Sequence, residues 1–392
     1  MIITLILPQP PAYSETFFRS KIQGLQESGH QVILVTAATD QNFEACQHLQ
    51  HPKVSRNSLV QVFKMLGVFL GLLRYLKSVS KYIKLEKSEG TSVRRLLEKL
   101  YINATLIKLR TDWLHFGFAT MALERELVAK AIGAQLAVSL RGYDIGVYPL
   151  KHANCYTKLW KYVDKLHVIS DDLYKKALKH GLSPKTAYQK ITPAINTELF
   201  SGDNMINTTQ TDELIILTIG RLHWKKGFVD TLEALSLLKK RHIKFKYRII
   251  GEGNEYERIA YAVHQLGLKK ECVFLGKMEH QQVKEELLKA NLYLQYSIQE
   301  GFCNAVLEAQ ALGKLCVVSD AEGLAENVLD QQTGWVVPKG QPELLADKIM
   351  EVLQLDEQTK KSIQQKAMER TQNKFTLKQQ KEKFNAFYSV RS

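Results

Sequence analysis

Two glutamates eight positions apart, Glu300 and Glu308, mark the stretch of this sequence that is best suited to hold a polar substrate. Glu300 stands beside the flexible Gly301, which predicts a loop. Glu308 falls inside the apolar-rich stretch 304–312, which predicts a helix ending at Gly313. A buried strand is predicted next, over 315–318. Loop, helix and strand in this order are typical of a doubly wound α/β domain, whose ligands bind at the carboxyl ends of the strands.

Phosphate is the ligand chemistry that the neighbouring residues favour. The first amides of the predicted helix, near Phe302, Cys303 and Asn304, are suited to an anion. An earlier strand leads into a Gly-Arg turn and a Lys-Gly helix start, which predicts that Arg221 and Lys226 lie above a helix N-terminus. Arginine can fork onto phosphate oxygens and lysine supplies a point charge. The alternative is that both are solvated surface cations.

A resemblance to a known family follows from these residues. Glu300 and Glu308, with the flanking Gly-Phe-x-Asn and Glu-Ala, resemble the donor-binding motif of the retaining GT-B glycosyltransferases of family GT4, the glycosyl transferases group 1. The resemblance covers nearly the whole chain. It implies an α/β fold with two Rossmann-like, doubly wound parallel-sheet domains that face a deep cleft. The implied parts are an acceptor-side domain 1–196, a nucleotide-sugar domain 197–374, and a helix 375–392 that returns to the first domain.

The resemblance also implies a role for each matched residue of the second domain. Arg221 and Lys226 would hold the nucleotide diphosphate and stabilise its charge as it leaves. Glu300 would bind hydroxyls of the donor sugar, and Glu308 would bind the ribose. Gly251, at the end of another predicted strand, is interpreted as part of a turn that approaches the nucleotide base.

Fewer residues are matched in the first domain. His115 matches the family's histidine that faces the donor sugar, although a lone histidine is more often structural. The Ser14-Glu15 pair and the Arg141 to Asp144 segment resemble family segments that contact substrate. For Ser14 a plain helix cap is an equally good interpretation, and Asp144 is equally well explained as the cap of the following turn.

Composition sets limits on the class of protein. The 392 residues suffice for two domains, and 45% apolar with 24% charged content is typical of a globular protein. Five scattered cysteines without a C-x-x-C pair argue against a zinc cage or a disulfide framework, and favour a reducing cytosol. The start, MIITLILPQPP, is interpreted as a first strand and not as a signal peptide.

Positive charge is concentrated in the first half of the chain. Residues 1–200 carry 27 Lys and Arg against 15 Asp and Glu, out of 54 and 40 in the whole sequence. Within that half, an insert at about 60–110 combines an apolar stripe with lysines, which predicts a basic amphipathic helix suited to an anionic membrane surface. The alternative is a surface helix packed on the sheet with a solvated lysine face. Nucleic acid is not expected, because no aromatic-basic binding motif accompanies the charge.

The sequence therefore predicts a cytoplasmic enzyme that is peripheral at the inner face of the membrane. By resemblance it would be a retaining transferase that moves a sugar from a UDP- or GDP-linked donor to a glycan or lipid-linked acceptor. No cofactor beyond the donor and no metal are expected, since no D-x-D triplet is present. The alternative is a non-catalytic GT-B-like subunit of a membrane polysaccharide-assembly complex, against which the four residues Arg221, Lys226, Glu300 and Glu308 together argue.

Overall fold

The computed structural model describes residues 1–11, 16–39, 43–201 and 213–389. These form two compact units. Unit 1 is Met1–Ile191 with Lys381–Ser392, and unit 2 is Thr192–Gln380. Each unit is a parallel α/β layer structure, which confirms the predicted fold class.

Unit 1 is built on a seven-stranded sheet in which every neighbouring pair is parallel. Its inner strands are apolar runs with both faces covered, as parallel sheets require, whereas the edge strands Gln47–Gln50 and Ala187–Lys190 are polar and have no buried residue. In chain order they are β1 (Ile2–Ile6), β2 (Gln31–Thr36), β3 (Gln47–Gln50), β4 (Trp113–Phe116), β5 (Gln135–Leu140), β6 (Lys165–Val168) and β7 (Ala187–Lys190). Their spatial order is β3-β2-β1-β4-β5-β6-β7, so the direction of winding reverses next to β1, as in doubly wound folds.

Helices connect these strands and cover the sheet. They are α1 (Thr16–Glu27), α2 (Ser58–Leu70), α3 (Leu76–Ser88), α4 (Val93–Ile102), α5 (Ala104–Ile107), α6 (Ala119–Ala122), α7 (Val128–Ile132), α8 (Tyr143–Gly146), α9 (Tyr148–Lys151), α10 (Thr157–Tyr162) and α11 (Asp171–Lys179). The Ser170 hydroxyl caps α11 by accepting a hydrogen bond from the Leu173 amide at 3.4 Å.

Unit 2 contains a six-stranded parallel sheet with the spatial order β10-β9-β8-β11-β12-β13. Its strands are β8 (Leu214–Ile219), β9 (Phe245–Ile250), β10 (Cys272–Gly276), β11 (Leu292–Gln295), β12 (Leu315–Ser319) and β13 (Trp335–Val337). Its helices are α12 (Phe228–Lys240), α13 (Tyr256–Gln265), α14 (His280–Lys289), α15 (Asn304–Ala311), α16 (Pro342–Gln354) and α17 (Glu357–Lys374). Gly313 follows α15 with φ +65°, which is the left-handed conformation predicted for a helix end.

One further helix, α18 (Leu377–Ser389), begins in unit 2 and ends in unit 1. Its second half completes the core of unit 1. Phe384, Phe387 and Tyr388 are at most 1% exposed and pack with residues of β1, α1 and β4. The Lys165 ammonium also donates to the Phe387 carbonyl at 2.6 Å.

The insert was predicted as a basic amphipathic helix, but it consists of several helices, α2 to α5. A short 3-10 helix, Leu73–Tyr75, lies between α2 and α3. Gly67 and Gly71 lower the helical propensity at the end of α2. Leu72, which follows this helix, is buried. Within the described residues no single helix has the length and apolar content to cross a membrane. The pair Ser58–Leu70 and Leu73–Ser88, bent by 44°, meets that test together by length and composition only.

Candidate functional site

Close backbone packing brings three loops of unit 2 together at the carboxyl ends of its strands. Gly227 has φ +64°, and a Cβ at this position would lie 2.0 Å from the Tyr296 carbonyl oxygen. Gly251 has φ +140°, and its Cβ would lie 2.0 Å from the Gly220 carbonyl oxygen. Only glycine allows both the backbone conformation and the contact. The loops that follow β8, β9 and β11 therefore touch, and Gly251 has a packing role in the site.

Lys226 and Glu300 form an ion pair at this junction. The pairing is fixed by the backbone, because the Ile298 amide donates to the Lys225 carbonyl at 2.7 Å and so holds the two loops in register. Burial opposes the charge on Lys226, but the Glu300 carboxylate and the nearby Cys303 sulfur outweigh it and raise the pKa of this lysine. Lys226 is thus held as a cation, with 17% of its side chain exposed.

Arg221 lies at the end of β8, close enough for its charge to act against that of Lys226. Its side chain is exposed, and among the described residues no carboxylate pairs with it. Two neighbouring cations and the one carboxylate that pairs with Lys226 leave an excess of positive charge. This arrangement can bind an anion such as a diphosphate.

The N-terminus of α15 differs from the prediction at Cys303. Its amide donates to the Asn327 side-chain oxygen at 3.1 Å, so it is not available to a phosphate. Phe302 and Cys303 are buried, at 7% and 5% exposure. Among the described residues no acceptor pairs with the amide of Asn304, which is the first residue of α15. Of the three predicted amides, that of Asn304, the last, is therefore the one that begins the helix and is free to bind an anion within the described residues.

Glu308 is buried on α15, with 8% of its surface exposed. Burial raises the pKa of its carboxyl to about 7. No side chain or amide of the described residues donates to this carboxylate. A buried acid without donors is costly to ionise. Hydroxyl groups of a ligand would supply the missing hydrogen bonds.

Asn327 and Glu322 are site residues that the sequence reasoning missed. Besides accepting from the Cys303 amide, Asn327 donates to the Cys303 carbonyl at 2.8 Å. Glu322 accepts from the Glu300 amide at 2.9 Å, and the Gly323 amide donates to the Glu300 carbonyl at 3.1 Å. The segment after β12 therefore clamps the backbone on both sides of Glu300. The signal that could have identified this segment is its position directly after the carboxyl end of a strand.

Replacing Asn327 with alanine is expected to weaken nucleotide binding about tenfold, because it releases the loop that carries Glu300. It should also lower the free energy of unfolding by about 2 kcal/mol, since the Cys303 amide and carbonyl lose their buried partners. Calorimetric titration and thermal unfolding measure the two effects. Asn373→Ala, at an exposed position on α17, is the control. Unchanged nucleotide affinity in a destabilised Asn327→Ala protein would limit Asn327 to a role in the fold.

His115 lies in the interior of unit 1. It is the third residue of the four-residue β4 and is 0% exposed. One ring nitrogen pairs with the Tyr388 hydroxyl at 2.5 Å and the other with the Ser139 hydroxyl at 2.8 Å. Burial, followed by the charge of Lys21, lowers the pKa of this histidine, so the ring is neutral. Its ring is enclosed in the core of unit 1, and a role beside the donor sugar stays a prediction from the resemblance.

The other site residues that were predicted in the first domain are Asp144, Arg141, Ser14 and Glu15. Asp144 is 1% exposed and accepts from the amides of Arg141, Gly142 and Ala119 at 3.0, 2.9 and 3.2 Å. The carboxylate thus bonds to two amides that precede it and to the first amide of α6, not to the turn that follows, and it leaves no oxygen facing solvent. The Arg141 guanidinium lies over the ring of Phe17 at 3.9 Å. The sequence also predicted Ser14 and Glu15, which lie outside the described residues.

Comparison with known proteins identifies the class to which this arrangement belongs. The fold matches a sucrose-phosphate synthase from Thermosynechococcus elongatus with a TM-score of 0.74 at 17% identity, over 99% of this chain and 98% of that one. It also matches HepE of Anabaena in complex with UDP and glucose, with a TM-score of 0.72 at 15% identity over 98% of both chains. These similarities show the fold alone. Both sheets and both units are those of GT-B glycosyltransferases.

Sequence comparisons point to the same class of protein. Residues 203–370 match the model of the glycosyl transferases group 1. The amylovoran biosynthesis glycosyltransferase AmsK of Erwinia amylovora is 25% identical over 88% of this chain and 89% of its own. WcaL of Escherichia coli strain K12, which bears the name of a colanic acid biosynthesis glycosyltransferase, is 28% identical over 74% and 73%. Residues 203–370, which form most of unit 2, are thus similar to the glycosyl transferases group 1, the family that the sequence resembles.

Proposed function

We propose that this glycosyltransferase moves a sugar from a UDP- or GDP-linked donor to a glycan or lipid-linked acceptor, with retention of anomeric configuration. One observation carries the donor assignment. The Lys226–Glu300 ion pair lies near Arg221, which pairs with no carboxylate in the described part of the chain, at the strand ends of a doubly wound unit. HepE of Anabaena, whose fold is similar, has been solved in complex with UDP-glucose.

In the proposed reaction, negative charge grows on the diphosphate as its bond to the anomeric carbon breaks. Arg221 and Lys226 stabilise that charge, and Lys226, which Glu300 holds in place beforehand, needs little reorganisation. Glu300 accepts hydrogen bonds from hydroxyls of the donor sugar, and Glu308 accepts them from the ribose. The two side-chain cations supply the positive charge that a divalent metal would otherwise supply, so the reaction is proposed to need none.

Retention follows, in this proposal, from attack on the face that the diphosphate leaves. The acceptor oxygen bonds to the anomeric carbon while the carbon–phosphate oxygen bond breaks, and the acceptor's proton passes to the leaving phosphate. His115 has no part in these steps because its ring is enclosed in unit 1. Analysis of the product anomer by NMR tests retention, and an inverted product contradicts the front-face mechanism.

We also propose that the acceptor belongs to cell-surface polysaccharide or glycolipid biosynthesis and that the enzyme works at the cytoplasmic face of a membrane. AmsK and WcaL bear names from exopolysaccharide biosynthesis. The basic excess of residues 1–200 fits an anionic surface.

Calorimetric titration with UDP, GDP and ADP tests the donor site. We expect one of the three to bind with a micromolar dissociation constant, and the tightest one identifies the donor class. If none binds, unit 2 is not a nucleotide site, and a non-catalytic role within an assembly complex replaces the enzyme.

A further inference from the structure

Helix α2 of unit 1 is apolar and yet buries none of its residues. The exposed fraction reaches 73% at Leu59 and Phe63, and 68% at Leu70. The exposure continues through the 3-10 turn to the start of α3. We call this surface the apolar patch; its members, each at least 44% exposed, are Leu59, Val60, Val62, Phe63, Leu66, Leu70, Leu73 and Leu76. So many large apolar side chains on one short segment mark an interaction surface.

The opposite side of the same segment is firmly anchored. Asn57 caps α2 by accepting from the Leu59 and Val60 amides at 3.0 and 3.3 Å. Leu72 is 5% exposed and Tyr82 is fully buried. Further along α3, the buried Glu86 pairs with Lys99 and with Lys158, at 3.0 Å each. The patch is therefore the outer face of an anchored element.

Cations surround the apolar patch and acids are missing from it. Between residues 51 and 85 the sequence has no Asp or Glu. Its basic residues are all exposed, and within the described part of the chain none pairs with a carboxylate; they are Lys53, Arg56, Lys64, Arg74, Lys77, Lys81 and Lys84. The first acid that follows, Glu86, points inward. The surface thus combines apolar side chains with uncompensated positive charge.

The chemistry that complements both features is an anionic phospholipid surface. A basic amphipathic helix binds such a surface by burying its apolar face near the acyl chains, while Lys and Arg reach the phosphates. A second copy of this chain fits less well, because the same cations would face each other across the contact. A spanning arrangement is disfavoured by Arg74 and Lys77, which interrupt the apolar run at the bend.

We propose that the apolar patch docks unit 1 on an anionic bilayer, with α2 and the turn Leu73–Tyr75 lying in the interface plane. Phe63, Leu66 and Leu70 enter the acyl boundary, and Lys64, Arg74 and Lys77 contact lipid phosphates. This deepens the proposed location at a membrane, and it does not depend on the donor assignment. It names the lipid surface as a partner of unit 1.

Sedimentation of the full chain with vesicles tests the docking. We expect it to bind vesicles of equimolar phosphatidylcholine and phosphatidylglycerol, and to bind pure phosphatidylcholine far more weakly. Substitution of Lys64, Arg74 or Lys77 by Gln should weaken binding about fivefold each. The pair Phe63→Ser and Leu66→Ser should weaken it more than tenfold. Val93→Ser, at 69% exposure on α4 outside the patch, is the matched control and should have no effect.

Three outcomes would overturn the proposal. One is equal or absent binding to both kinds of vesicle. Another is a stable dimer that Phe63→Ser converts to monomer, which would assign the patch to a second copy. The third is resistance of the bound protein to extraction at alkaline pH, which would indicate a spanning segment. Titrations of the same variants with UDP, GDP and ADP keep the docking test separate from the test of the donor site. A loss of nucleotide binding would concern the donor site alone.

Discussion

Replacing Lys226 with alanine is expected to lower turnover by a factor of about a hundred or more and to abolish nucleotide binding. Lys226 is the inner cation of the site, and its loss leaves Glu300, with 16% of its side chain exposed, as an uncompensated negative charge facing a diphosphate. The effect thus has two parts, a lost attraction and an added repulsion. Calorimetry and steady-state kinetics with the donor that binds measure it.

Lys240→Ala is the matched control for this prediction. Lys240 is the last residue of α12, the helix that begins just after Lys226, and its side chain is exposed. This variant should bind and turn over normally. The double replacement of Lys226 and Glu300 by Ala and Gln should recover part of the binding lost in the single variant, because it removes the repulsion. Near-normal turnover of Lys226→Ala would remove it from the proposed mechanism.

Glu308→Gln is expected to stabilise the protein and to impair its binding of nucleotide. The pKa of the Glu308 carboxyl is raised from 4.5 to about 7 in the folded chain. Between these values the folded protein keeps a proton that the unfolded chain releases, so stability falls as pH rises through this window. At pH 8 the ionised carboxyl costs about 3 kcal/mol, which glutamine removes. At the same time a charged acceptor for the ribose is lost, and affinity should fall about tenfold or more.

Denaturation at pH 5 and at pH 8, with nucleotide titration at both, measures these effects. The stabilisation should appear at pH 8 and nearly vanish at pH 5. Glu286→Gln is the control, since Glu286 is also 8% exposed. Burial acts against its charge too, but Lys289 and Arg248 outweigh burial and lower the pKa of this carboxyl. Its replacement should destabilise the protein at pH 8. If Glu308→Gln behaved in the same way, Glu308 would be paired and not poised for a ligand.

The parts of the fold that the sequence predicted are those with a local signal. Apart from the edge strands β3 and β7, most strands of both sheets are short apolar-rich runs, and the helix after Glu300 begins and ends where its composition indicates. Lys226 and Glu300 lie on turns that follow parallel strands, and such turns meet at one edge of a sheet. For this reason their approach could be expected from their positions in the chain.

Contacts between segments that are far apart in the chain could not be predicted from the sequence. Whether His115 faces a ligand or the core depends on Tyr388, which is 273 positions away and closes over its ring. The amide of Cys303 looks free until Asn327 is placed beside it. Asp144 could face a ligand or be enclosed, and only the geometry of three neighbouring amides separates the two. In each case a local pattern fits two environments, and tertiary packing selects one.

Helix α18 has a consequence for the order in which the chain folds. Phe384, Phe387 and Tyr388 belong to the same core as Ile3 and Leu5. During synthesis, the first unit therefore lacks part of its interior until nearly four hundred residues have been made. The core of unit 2, as described, needs no residue beyond Ile363. Domains generally fold as units during synthesis, the N-terminal one first. Here the second unit can finish before the first, which must wait with an open core that chaperones can recognise.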